Sequence, residues 1–144
     1  STLSSDEAYT SYMHYLQPKF IYPLPCSSLT QKQCQHVQAP ALAALIPKLH
    51  ANGHIAHVII FGEQRYGGLS LPNLYTDQGY GQLKLLIGHI KLGDNIGNLI
   101  FIAMSHLQLH MGSETPFFDC SYPTNSKWVE HNWLIPIWKH MRQL

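Results

Sequence analysis

The chain has 144 residues, the size of one domain, and a formal net charge of +1. Charged residues make up 12% and hydrophobic ones 45%, about half the usual charged share. This balance lacks the basic excess of a dedicated nucleic-acid or anionic-membrane binder. The cysteines Cys26, Cys34 and Cys120 are odd in number and widely spaced, which excludes a disulfide framework and a CxxC metal knuckle. No basic region followed by an apolar run opens the chain. The longest apolar run, Leu99 to Met104, is far too short to span a bilayer. Together these features point to a reducing intracellular setting, cytoplasmic or nuclear, with no membrane partner. Ser1 stands where an initiator Met would, as in a fragment or a trimmed chain.

Taken in order, Ser4 and Ser5 followed by Asp6 and Glu7 form a helix start with acids at the positive dipole end. Tyr9, Tyr12, Met13 and Leu16 make one apolar stripe behind it. Pro18, Pro23 and Pro25 then break the pattern, so Lys19 to Cys26 is expected to be extended or turning. A second helix starts near Ser28 or Thr30, where Thr30 and Gln33 read as a capping box. Pro40 and Pro47 predict a kink or two shorter helices. Asn52-Gly53 ends this helix with residues that tolerate left-handed geometry.

Val58 to Phe61 is the best strand candidate, with a turn over Gly62 to Gly68 and Leu69 to Leu71 as the returning partner. A third helix opens at Thr76-Asp77 and buries Leu83, Leu86, Ile87 and Ile90. Gly93-Asp94 closes it and caps a fourth, about Asn95 to His110. That helix is apolar nearly all round and is expected to be the central, most buried one. Glu114 to Asn125 reads as an ordered surface loop. A last helix spans residues 126–144, bent near Asn132 by Pro136. The expected architecture is therefore mainly α: one helical domain over residues 1–144, a bundle of about five helices with a small β-hairpin insert near residues 57–72.

No motif for catalysis or a cofactor appears, and the chain reads as a non-enzyme. The acids are scattered, with only Asp6 and Glu7 adjacent, whereas two-metal chemistry needs clustered carboxylates. Gly68-Leu69-Ser70-Leu71-Pro72 lacks the last glycine of a nucleophile elbow. Gly62, Gly67 and Gly68 are not followed by the Gly-Lys-Ser/Thr of a phosphate loop. His50, His54 and His57 would share one face and form a metal site if their segment were helical. His106 and His110 form an HxxxH pair without a carboxylate between them. Trp128, Trp133 and Trp138 give the tail the aromatic content of either an interface or a core.

The text from Tyr66 to Tyr75, Tyr-Gly-Gly-Leu-Ser-Leu-Pro-Asn-Leu-Tyr, resembles the segment just downstream of the polymerase palm in non-long-terminal-repeat retrotransposon reverse transcriptases. It is most similar to the reverse-transcriptase-like reading frames of diatom, oomycete and fungal genomes. There a Val-Val-Phe-Gly-like strand precedes the signature, as Val58 to Gly62 does here, and a helix resembling Tyr75 to Leu86 follows it. Gln38 to Leu42 and Leu45 to Leu49 are similar too, so the resemblance covers roughly Tyr12 to Met111. It implies a thumb and post-thumb helical region that packs on a palm and follows a DNA or RNA duplex by its backbone. The basic residues available for such contacts are Lys48, Arg65, Lys84 and Lys91. The chain departs from the pattern at Gly53 and His57, where relatives carry arginine, and at Ser70, where they carry glycine. Three functions follow: a non-catalytic thumb-like domain with weak nucleic-acid backbone binding, a protein-interaction or orphan structural module, and a histidine-based metal binder.

Overall fold

The computed structural model describes residues 3–51 and 54–142. The chain is mainly helical, and no strand occurs among the described residues. Its contacts define two compact units, Ser1–Leu24 with Leu29–Gln78, and Pro25–Ser28 with Gly79–Leu144. No single described helix is long and apolar enough to cross a membrane.

In the first unit, α1 (Ser5–Ser11) starts with a capping box: the Ser4 hydroxyl accepts from the Glu7 N–H, and the Glu7 carboxylate accepts from the Ser4 N–H. The chain does not leave the helix before Pro18. A π-helical turn over Tyr12–Leu16 carries it into α2 (Gln17–Ile21). Pro18 lies inside this continuous helix and lacks the N–H that would bond the turn before it, and the wider π-helical turn directly preceding it accommodates the break. The expected extended stretch from Lys19 is thus helical to Ile21 and becomes a short 3-10 turn at Leu24–Cys26. Helix α3 (Gln31–Leu45) has the Thr30–Gln33 capping box read from the sequence. It continues as a 3-10 turn over Ile46–Leu49 and stops at His50, which is left-handed at φ 57°. The helix therefore ends before Asn52-Gly53, and those two residues lie outside the described ones.

The predicted strand Val58–Phe61 is instead a short helix, α4 (His57–Phe61). The chain does reverse as expected. The Leu69 and Leu71 N–H groups donate to the Ile59 and Ile60 carbonyls at 2.8 and 3.0 Å. One arm is helical, so its carbonyls point along the helix axis and no ladder forms. Gly68 fits only because it has no Cβ; a methyl there would overlap the Gly62 carbonyl. This unit's core joins Ala8, Tyr12, Leu45, Ile46, Ile60 and Leu71, beside a smaller cluster of Leu24, Cys34 and Leu74.

The unit boundary falls within α5 (Leu74–Leu92). This helix begins two residues before Thr76, because the Asn73 side chain accepts from the Tyr75 and Thr76 N–H groups. In the second unit α5 is followed by α6 (Asn95–Met111), whose cap Asp94 accepts from Gly97 N–H at 2.7 Å and from His89 Nδ1 at 2.7 Å. A short helix α7 (Tyr122–Asn125) and a 3-10 turn at Ser126–Trp128 lead to α8 (Leu134–Met141). The last helix is thus shorter than the expected 126–144. Pro136 lies in its first turn, where backbone N–H groups have no helical partner, so nothing bends. Trp138 is fully buried among Phe117, Tyr122 and Leu134, with its indole N–H on the Cys120 carbonyl at 3.1 Å. It anchors a core that also takes Leu86, Ile100, Leu107 and Ile137.

Candidate functional site

Each residue singled out from the sequence has a definite place. Lys48 and Arg65 are exposed in the first unit. Arg65 is engaged: it pairs with Glu63 and lies 4.8 Å over the Tyr66 ring. Lys84 and Lys91 are exposed in the second unit, seven residues apart on one side of α5. His50, His54 and His57 do not share a helical face, because the helix before them ends at His50 and the next begins at His57. Among the described residues no group of three His, Cys, Asp or Glu side chains is placed to hold a metal.

The first unit contains a cleft of about 390 Å³ lined by Cys34, Gln38, Ile46, His57, Ile60 and Asn73 among others. Its polar floor is committed to structure. Gln38 donates to Tyr12 Oη at 3.0 Å and to the Pro72 carbonyl at 2.5 Å, and accepts from the Leu74 N–H at 3.4 Å. Burial pushes the Cys34 thiol up, away from thiolate chemistry. This cleft therefore offers packing and no activated nucleophile.

The second unit presents a different surface. Helix α6 was expected to be buried all round, but only Gly97, Ile100 and Leu107 are buried. Ile96, Leu99, Ile102 and Leu109 are 50%, 63%, 64% and 78% exposed. They recur along one side of a helix that contains no Asp, Glu, Lys or Arg. The cause is the weight of α8: Trp138 and the Phe117 loop fill the core from the other side, so α6 contributes one face only. Beside this stripe runs a groove lined by Ile96, Leu99, Ile100, Ala103, Asn132, Trp133 and Leu134. Trp133 is fixed there by its indole N–H on the Pro25 carbonyl at 2.8 Å, and the Asn132 side-chain oxygen caps the Leu134 N–H at 2.9 Å. The rim is thus rigid and the floor apolar.

The three tryptophans separate. Trp138 is core, Trp133 frames the groove, and Trp128 is 61% exposed with Lys127 Nζ 5.0 Å above its ring. The exposed α6 stripe had no signal in the sequence, where the same apolar residues read as a buried helix. Two further side chains gained a role unseen in the sequence. Gln78, in the first unit, exchanges two bonds with the Leu29 backbone at 3.1 and 2.9 Å. Gln82, in the second, donates to the Ser27 carbonyl at 2.6 Å. No protein-family model matches the chain, and no curated protein or solved structure matches it at a significant level.

Proposed function

We propose that the chain is a protein-interaction module whose binding surface is the apolar side of α6, and that the occupant of this surface is a second copy of the same chain. The observation that carries this is the exposure of Ile96, Leu99, Ile102 and Leu109 on a helix without a single charge. Such a stripe is costly to leave in water and marks interaction sites. With no charge to select a partner by sign, an apolar face is complementary to itself, and twofold pairs are the commonest assemblies. Burying each of these side chains is worth about 1.5–3 kcal/mol when complete. Their sum is comparable to the roughly 4–15 kcal/mol that association costs. The pair is therefore weak: a dissociation constant of tens of micromolar corresponds to a surplus of about 6 kcal/mol. Elution volume measured over rising concentration tests this. A shift toward a dimer that Leu99→Glu abolishes is expected; a monomer throughout would overturn it.

A second reading has its own support. Lys84 and Lys91 are both exposed on one side of α5, the arrangement by which a retroelement-derived, thumb-like domain would follow a duplex backbone. Helix α6 has no Lys or Arg, so the cationic contacts to phosphates would come from α5. Filter binding to duplex or hybrid decides it. Affinity that falls with salt, with a slope reduced by about one for each lysine replaced by alanine, supports it. Absence of binding at low salt disposes of it.

A further inference from the structure

On the C-terminal half of α6 the imidazoles of His106 and His110 converge. Their Nε2 atoms lie 3.3 Å apart, the ring centroids 4.4 Å apart, and both rings are exposed. At that separation an Nε2–H on either ring reaches the Nε2 of the other. The separation has a second meaning. A tetrahedral metal with bonds of about 2.0–2.1 Å to imidazole nitrogens holds two such ligands roughly 3.3 Å apart, and the right-angle sites of copper and nickel hold them roughly 2.9 Å apart, a few tenths of an ångström closer, which two exposed side chains reach by small rotations. We propose that His106 and His110 form a two-histidine chelate for a late first-row divalent cation, copper, nickel or zinc.

Three observations bear on it. The helix places both ligands one turn apart on the same face, so no backbone rearrangement is needed to close the chelate. No Lys or Arg lies on α6 to repel a cation, and His110 sits in the last turn, where the helix dipole is negative. The site also needs no third side chain: among the described residues no group of three ligands exists, so water or an outside ligand fills the remaining positions. Binding requires both Nε2 lone pairs. The donating ring therefore exchanges its Nε2 proton for one on Nδ1 through solvent. Copper binds tightest by the general order of divalent affinities, followed by nickel and zinc. His106 and His110 lie on the same side of α6 as Ile96, Leu99 and Ile102, so the chelate is read on single chains, at concentrations below those at which chains pair.

The test is a calorimetric titration of untagged protein with nickel chloride, repeated on His106→Gln, His110→Gln and, as a control, His50→Gln and His57→Gln. Both α6 positions are exposed, so the variants fold, which circular dichroism checks. One nickel per chain is expected, with affinity lowered at least about tenfold by either α6 substitution, as large as the loss from an outer-shell metal partner. The control substitutions should leave this site unchanged. Copper added below stoichiometry should broaden the His106 and His110 ring proton signals first. Equal affinity in the α6 variants, or first broadening at other histidines, would overturn the proposal.

Discussion

Gly97 lies against the His89 carbonyl at the corner between α5 and α6, where any Cβ would overlap that oxygen. Gly88 sits within α5 with open space around it. The same substitution therefore has opposite signs. Gly97→Ala forces the corner apart and should cost about 1–3 kcal/mol, while Gly88→Ala should add about 0.5–1 kcal/mol by helix propensity. Urea unfolding of both variants separates them. Asp77 is a second informative residue. Burial pushes its carboxyl above the usual range, and its Oδ2 has no hydrogen-bond partner. Because the folded-state pKa is raised, this group's stability is complete where it is protonated and is lost as pH rises through the folded value. Asp77→Asn should therefore raise the melting temperature at neutral pH, with the gain vanishing in acid. A gain that persists in acid would exclude titration as its cause.

Among the elements, the 57–72 segment shows how far the sequence reaches. The glycines and the returning Leu69 and Leu71 were legible as a reversal, because glycine position and apolar spacing are local facts. The conformation of its first arm was not, since a five-residue segment with three β-branched residues fits a short helix once Ile60 is packed into a core. Ser70 is left-handed at φ 49°, a conformation that favours glycine. Its hydroxyl compensates, accepting from the Gln64 N–H at 2.9 Å and donating to the Gly62 carbonyl at 3.3 Å. Ser70→Ala loses these bonds and keeps the strained φ, whereas Ser70→Gly relieves it. Alanine should be the more destabilising of the two in thermal melts. The Thr30–Gln33 capping box, the helix start at Ser4 and Ser5 and the Asp94 cap were readable, being set by residues close in sequence, although the Ser4–Glu7 capping box itself was not read. The exposure of α6 was not, because it depends on how much of the core α8 and the Phe117 loop occupy.

For the whole molecule, the sequence offers no clustered acids and no concentrated basic field, and the most unusual feature among the described residues is a helix without Asp, Glu, Lys or Arg whose outer side is largely apolar. Self-association through that side accounts for the exposed aliphatic residues without any chemistry. Sedimentation equilibrium of the chain over a range around tens of micromolar, where a weak interface titrates, tests this most directly. A monomer–dimer equilibrium in the natural chain, with both Leu99→Glu and Ile102→Glu remaining monomeric and folded, is the predicted result. A natural chain that stays monomeric, or a dimer that both substitutions leave intact, would contradict it.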